Sequence, residues 1–478
     1  MTDAGRGQTG RGRDESAFAL DLDHAEAILP RYEGPGPRYT SYPTAPVWTD
    51  AYGAGDYARD LAGLSPADGL ALYAHVPFCE SLCHFCACNR IITHDAALPE
   101  RYLDAIEREI AAVREIAQRA APASQLHWGG GTPTHLSPDQ IRRLFRAMTD
   151  AFPLRAGAEV SIEVDPRVTT RAQVETLREL GFDRISLGVQ DVEPRVQQAI
   201  HRIQPPSMTA TLVDEARRAG FTSVNFDLIY GLPFQREDTF ARTLDTVLAI
   251  GPDRIALYSY AHVTWVAKQQ RGFERQDLPD APTKLRILLL AIRRLLGAGY
   301  VYIGMDHFAR PEDELSRALR DRTLRRNFMG YTTQDGAALL GFGPSAISEL
   351  PASYAQSERD LGAWEAAVRE RGLATLRGHH LSADDEERRF AISRIMCHGE
   401  LSAGEWSARF GRSFSEAYAR ELASLETLDA DGLVLRAGDG SLRVTPLGRL
   451  LVRNVAMAFD AYLPEQQRTG ARLFSRAV

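Results

Sequence analysis

Cysteine is scarce, at five residues in 478. So few cysteines exclude a disulfide scaffold of the kind that holds small secreted domains together. No run of eighteen apolar residues occurs, so a membrane-spanning helix is excluded as well. Lysine is nearly absent, found only at Lys268 and Lys284, so almost all of the 56 basic residues are arginine. Against 63 acidic residues they leave a formal net charge of −7, the wrong sign for a chain whose main task is to hold nucleic acid. Residues 1–13 are rich in Gly and Arg and contain no apolar stretch, so they read as a disordered tail rather than a secretory signal. The expected compartment is the reducing cytoplasm.

What cysteine there is lies together. Four of the five fall in Cys79-Glu-Ser-Leu-Cys83-His-Phe-Cys86-Ala-Cys88, directly after an apolar run over 70–78. At this abundance two more cysteines at fixed offsets from a given one arise by chance about once in ten thousand, so the spacing is a motif. A structural zinc site usually takes two separated ligand pairs, and no second Cys pair or His-x-x-x-His follows. Iron-sulfur cubanes are held by closely spaced thiolates. Three of them, spaced x3 then x2, leave one iron without a protein ligand and open to a bound molecule.

Length predicts more than one domain. From 70 to 260 short strand-like runs alternate with amphipathic helical stretches, the pattern of repeated β-α units around a parallel sheet. Six strands are predicted, over 70–76, 125–128, 159–164, 184–189, 223–229 and 254–260. The clearest helix carries Leu103, Ile106, Ile110, Val113 and Ile116 or Ala117 on one face, with Glu107, Arg108 and Arg114 outward. Gly181 and Gly220 are helix stops. Six such units suit an incomplete barrel in an α/β fold, where chemistry gathers at the C-terminal strand ends. Gly129-Gly130-Gly131-Thr132, Glu163, Gln190, Asp227 and Ala261-His262 sit there. The glycine triplet alone fits a plain tight turn equally well, and Glu163 and Asp227, in apolar strands, fit buried salt bridges to barrel arginines.

The predicted organisation is a tail and leader over 1–30, an extension over the barrel mouth at 31–69, the barrel at 70–299, an accessory segment at 300–375 and a C-terminal domain at 376–478. In the accessory segment 301–305 reads as a strand and 327–333 as a loop. The last domain is predicted as helices over 384–398, 402–410 and 414–428, a hairpin through Gly438-Asp439-Gly440 and a final helix, a winged-helix-like order. Ten Arg against thirteen Asp and Glu over 381–460 make it a lid or docking domain rather than a DNA reader.

Cys-x3-Cys-x2-Cys resembles the signature of radical S-adenosylmethionine (SAM) enzymes. The fuller run from Tyr73-Ala-His-Val-Pro-Phe-Cys79 to Cys88 is similar to the oxygen-independent coproporphyrinogen III oxidase family, whose C-terminal domain is of the HemN type. Similar runs are His127-Trp-Gly-Gly-Gly-Thr-Pro-Thr134, Leu187-Gly-Val-Gln-Asp191, Asn225-Phe-Asp-Leu-Ile-Tyr-Gly-Leu-Pro233, Asn327-Phe-Met-Gly-Tyr-Thr-Thr333 and Arg377-Gly-His-His-Leu-Ser-Ala-Asp-Asp385. The resemblance implies that Cys79, Cys83 and Cys86 ligate one [4Fe-4S] cluster and that Cys88 does not. It places SAM against Tyr73, Phe85, Gly130, Gly131, Thr132, Glu163, Gln190, Arg202, Asp227, Ala261 and Ile347. A second SAM is expected at Phe85, Gly131, Thr132, Gln190, Arg202, Asp227 and Ala261.

The implied reaction turns two propionates of coproporphyrinogen III into vinyl groups, giving protoporphyrinogen IX for heme biosynthesis through a 5′-deoxyadenosyl radical. It needs a low-potential donor such as flavodoxin or ferredoxin and an electron acceptor that the sequence does not identify. A monomer is expected, with no nucleic acid partner and no membrane span. Arg38 and neighbouring arginines are the expected carboxylate receptors. Related heme-binding chaperones typically carry Phe at the position of Cys88 and lack the full C-terminal domain; a heme-opening or heme-methylating enzyme is the other alternative.

Overall fold

The computed structural model describes residues 20–264, 267–334 and 338–463; the expected tail at 1–13 lies outside them. Six parallel strands appear where the apolar runs predicted them: β1 Leu70–Val76, β2 Ala123–Gly130, β3 Leu154–Val164, β4 Arg184–Gln190, β5 Ser223–Tyr230 and β6 Arg254–Ser259. They stand side by side in chain order. The intervening helices are α1 Ala97–Ile116, α2 Pro138–Ala151, α3 Arg171–Glu179, α4 Pro206–Ala219 and α5 Glu237–Ile250, with α6 Ala281–Gly297 after β6. Later segments extend the sheet as β7 Val301–Gly304, β8 His307–Ala309, β9 Ala338–Phe342, β10 Ile347–Leu350, β11 Ser353–Ser357 and β12 Thr375–His380. The whole order is β12-β11-β10-β9-β1-β2-β3-β4-β5-β6-β8-β7. Strand β9 pairs parallel to β1, so a seventh parallel strand joins the expected six.

Alternation along each strand divides the sheet chemically. One face carries Leu72, Leu126, Trp128, Ile162, Ile185, Leu187, Val224, Phe226 and Ile255, all buried. Helices pack on it. On α1 Leu103, Ile106, Ile110, Val113 and Ala117 are buried, each of the larger chains contributing about 1.5–3 kcal/mol. The other face carries Tyr73, His127, Ser161, Glu163, Ser186, Asn225, Asp227 and Tyr258, brought together by the register Tyr73↔His127↔Ser161 and Glu163↔Ser186↔Asn225. Local signals set the helix ends. Ser137 and Thr170 accept from the backbone N–H of Gln140 and Gln173, whose side chains reach back, and Gly220 closes α4 in the left-handed region.

A second core lies in the C-terminal part, around Trp406, Phe414, Tyr418 and Phe459. Helix α7, Ala383–His398, begins at the Ser382 cap, and Ala403–Phe410 at Ser402. The expected helix over 414–428 is instead three short ones, Phe414–Ala417, Ala419–Ser424 and Glu426–Ala430, interrupted at Tyr418 and Leu425. Val434–Arg436 and Leu442–Val444 form the expected hairpin.

Three further expectations are corrected. The leader is folded from residue 22: Leu22–Ile28 is a helix capped by Asp21, and Ala25, Ile28 and Leu29 are buried in the second core. The extension does not simply lie over the barrel mouth. Tyr39 donates to Asp460 at 2.9 Å, Tyr42 accepts from the Ala461 N–H at 3.0 Å, and the stretch 39–42 shares a cavity with Ala71 and Gln125 near the starts of β1 and β2. Its aromatic rings are drawn to the apolar C-terminal core. The expected loop at 327–333 is part of a hairpin, Arg325–Asn327 with Gly330–Thr332.

Candidate active site

The cysteine loop leaves β1 at the C-terminal end of the parallel sheet. Backbone and glutamine side chains anchor it. Gly131 N donates to Val76 O at 2.8 Å, Thr132 N to Phe78 O at 2.7 Å and His84 N to Ile200 O at 2.9 Å. Gln270 Nε2 donates to Phe85 O at 3.0 Å and to Ala261 O at 3.1 Å, and Gln269 Nε2 reaches Cys86 O. The loop exit is fixed by a relay: Tyr73 Oη lies 3.1 Å from His75 Nδ1, and His75 Nε2 is 2.8 Å from Asn89 O. Burial lowers the pKa of His75, so the ring is neutral with Nε2 protonated toward Asn89 and Nδ1 accepting from Tyr73.

The glycine triplet has a steric reason. Gly130 has φ +115°, and a Cβ there would meet His75; a Cβ on Gly131 would lie 2.7 Å from the carbonyls of Pro77 and Phe78. The turn therefore lets β2 press its backbone against the loop that carries Cys79. Thr132 Oγ1 lies 3.4 Å from Cys79 Sγ.

All five cysteines are free thiols. Cys83 faces two guanidinium groups, with Arg167 Nη2 at 3.4 Å and Arg202 Nη1 at 3.6 Å from its Sγ. Asp165 holds both arginines, accepting from Arg202 at 3.0 and 3.1 Å and from Arg167 at 2.6 Å. Cys86 is lowered to about 6, chiefly by a hydrogen bond from Cys88, which is raised correspondingly; burial pushes Cys79 up to about 11. No group of three or more His, Cys, Asp or Glu among the described residues is arranged around a single metal ion. The ligands of a cubane bind separate irons and stand wider apart. Three thiols in one loop, with guanidinium N–H groups aimed at sulfur, fit an anionic iron-sulfur cluster and not a mononuclear zinc.

Among the described residues Glu163 and Asp227 are not salt-bridged to arginine. Glu163 accepts from Gly130 N at 3.2 Å and stands 3.5 Å from His127 Nε2. Burial raises it, but the His127 contacts and the Gly130 N–H outweigh this and hold its pKa below the ordinary value. Asp227 accepts from Ser186 at 3.2 Å and Asn225 at 3.0 Å; burial, then the charge of Glu163, pushes it up to about 7. One acid is ionised at neutral pH and its neighbour is poised to hold a proton.

Most of the expected cofactor residues converge here. Tyr73, Glu163 and Asp227 face the interior, while Gly130, Gly131 and Thr132 form the turn after β2. Gln190, at φ +66°, ends β4; Arg202 donates to Gly188 O at 2.7 Å. Phe85 packs near Ile200, Ile229 and Tyr260. Gly341 pairs with Tyr73 and its α-carbon lies against the Ile347 backbone, which brings Ile347 within one strand of the interior. His75, His127, Asp165 and Arg167 were not singled out from sequence. Alternation gave a usable signal for the first two, and Asp165 and Arg167 follow β3 directly. Arg38 pairs with Asp306 and lies 5.6 Å from the Tyr258 ring centre.

Residues 73–247 match the radical SAM superfamily and 381–451 the HemN C-terminal domain. The chain is 44% identical over 462 residues to the oxygen-independent coproporphyrinogen III oxidase of Synechocystis sp., covering 96% of this chain and 98% of that protein. It is 43% identical over 457 residues to the enzyme of that name from Escherichia coli, covering 96% and 99%. The solved structure of coproporphyrinogen III oxidase (HemN) from Escherichia coli, a radical SAM enzyme, matches with a TM-score of 0.88 at 42% identity, covering 93% of this chain and 99% of that one.

Proposed function

Because the chain belongs to the oxygen-independent coproporphyrinogen III oxidase family, we propose that Cys79, Cys83 and Cys86 hold its [4Fe-4S] cluster and that two SAM molecules bind at the barrel mouth. The reaction is the oxidative decarboxylation of two propionates of coproporphyrinogen III, without oxygen, to the vinyl groups of protoporphyrinogen IX in heme biosynthesis. The cluster and SAM together supply the 5′-deoxyadenosyl radical that takes a hydrogen from a propionate. The observation that carries the site assignment is the packing of the Cys-x3-Cys-x2-Cys loop against the glycine turn, whose backbone in turn meets Glu163.

In this reading each side chain has a task that its surroundings prepare. Gly130 and Gly131 admit the SAM amino group close to backbone. Ionised Glu163 accepts ribose hydroxyls, Asp227 does the same for the second SAM, and Tyr73, Phe85, Gln190, Ala261 and Ile347 pack the two cofactors. Arg167 and Arg202 place positive charge at Cys83, which offsets the negative charge of a thiolate-ligated cluster. Cys88 is not a ligand. A low-potential donor such as flavodoxin or ferredoxin, a separate electron acceptor, a cytoplasmic location and a monomeric state complete the proposal; no helix among the described residues is long and apolar enough to cross a membrane. The test is an anaerobic assay of reconstituted protein with SAM, reductant and coproporphyrinogen III, products resolved by mass. Absence of both the one-vinyl and two-vinyl products with an intact cluster would refute it.

A further inference from the structure

A second cavity, of about 570 Å³, lies between the starts of β1 and β2 and helix α7. Its volume is in the range of sites for drug-sized molecules. Tyr39, Tyr354, Met396 and Cys397 give it apolar and aromatic wall, and Arg325, Arg326, Arg389 and Arg394 give it cationic edge. Its acids are Asp68, Glu349 and Glu386, and burial pushes Glu349 up to about 7, which weakens its opposition to an anion.

Arg326 stands apart from the other interior arginines. Arg38 pairs with Asp306, Arg167 and Arg202 with Asp165, and Arg184 and Arg254 with Glu314. Arg326 stacks on Tyr331 at 4.8 Å, directly opposite in the hairpin, and its Nε and Nη1 are buried with no acceptor among the described residues. Burying guanidinium N–H groups unpaired is costly, and a carboxylate is the acceptor whose geometry fits them. On the barrel side the cavity is walled by Ala71 and Gln125, which lie on the same inner strand faces as Tyr73 and His127. From Tyr331 the rings run to His307 at 5.3 Å and on to Tyr258 at 6.1 Å, beside Asp227 on the interior face.

On the reading given above, we infer that this cavity receives the propionate carboxylates of the tetrapyrrole that are not reacting, with Arg326 as their principal anchor. A substrate with carboxylates around its rim cannot present one to the barrel mouth without projecting the others elsewhere. Arg326 is a positioning residue: it sets where the macrocycle sits and touches no reacting atom.

The test uses the full-length, cluster-loaded protein and coproporphyrin III, the fluorescent oxidised analogue with the same four propionates, beside its tetramethyl ester. Arg326→Gln is expected to weaken tetra-acid binding roughly ten- to a hundredfold and to leave the weak ester binding unchanged, with Arg326→Lys recovering part of the loss. KM for coproporphyrinogen III should rise more than kcat falls. Ser393→Trp, which fills the cavity from α7 and leaves the Arg326 side chain unmutated, should also weaken the tetra-acid, and it decides the matter if Arg326→Gln does not fold. Folded variants that bind the tetra-acid and turn over substrate with wild-type constants overturn the assignment and leave the reaction intact. Wild-type protein with a full cluster and no turnover overturns the reading on which the inference rests.

Discussion

Gly131→Ala tests the claim that the glycine turn exists to bring β2 against the cysteine loop. The added Cβ would lie 2.7 Å from Pro77 C and O and from Phe78 O, all backbone atoms that no rotamer change can move. Relief requires separating the turn from the loop and stretching the bonds Gly131 N to Val76 O and Thr132 N to Phe78 O, now 2.8 and 2.7 Å. Overpacking of this kind costs about 1–3 kcal/mol. Spread over a barrel of this size, that lowers the thermal midpoint by roughly 2–12 °C. Cys79 immediately follows the displaced carbonyl, so iron per chain should fall with the midpoint. Gly297→Ala is the control: nothing lies within 4 Å of its Cβ, and in α6 the change should be neutral or stabilising by about 0.5–1 kcal/mol. Calorimetry and iron analysis of both variants decide it. A Gly131→Ala protein with wild-type midpoint and full iron would refute the steric argument.

Other outcomes follow from the same contacts. Cys79→Ser should abolish cluster absorbance and activity together, whereas Cys88→Ser should keep the cluster; loss of iron from the second variant would show the ligand set to be wrong. Arg167→Gln removes an N–H donor and a charge from Cys83 Sγ, so the cluster potential should drop by on the order of 50 mV in a spectroscopic redox titration; an unchanged potential argues against the role. Asp227 holds its proton to about 7 when folded against an ordinary value of 3.8, so the native state binds more protons in between. Stability of ligand-free protein from this group therefore falls as pH rises from 4 to 7 and is flat above. Asp227→Asn should remove that slope and stabilise the chain at pH 8 by up to about 4 kcal/mol while impairing SAM binding; denaturant titrations at several pH values give the answer. Glu109 accepts from Gly343 N at 2.7 Å and Trp364 Nε1 at 3.1 Å in a buried site, so Glu109→Ala should cost about 2–4 kcal/mol by orphaning both donors, again by denaturant titration.

The six barrel strands were legible because each is a dense apolar run next to a helical period, and the order β1 to β6 follows the chain. Strand β9 was not. Ala338–Phe342 lies far along the chain yet inserts beside β1, a pairing that no local pattern announces. The proposed cluster ligands Cys79, Cys83 and Cys86 announced themselves by spacing. Asp165, Arg167 and Arg202 form a unit only in space, since Arg202 returns over the site after the short helix Pro194–Ala199. Arg38, chosen from sequence because a bidentate guanidinium suits a carboxylate, pairs with Asp306, while Arg326 sits in a hairpin too short to be read from periodicity. The leader helix escaped notice because its apolar face is completed by a core whose other residues come almost entirely from beyond residue 390.

The division of the sheet into an apolar helix-bearing face and a polar inner face also bears on how such a scaffold changes over time. Cohesion of the barrel rests on residues such as Trp128, Phe226 and the inner stripe of α1, none of which points into the interior. Inner polar positions such as Ser186 and Asn225 answer instead to their hydrogen-bond partners, here Asp227, because each strand spends alternate residues on a separate purpose. Two sets of constraints are thus interleaved along the same strands, and selection can act on one with the other held fixed.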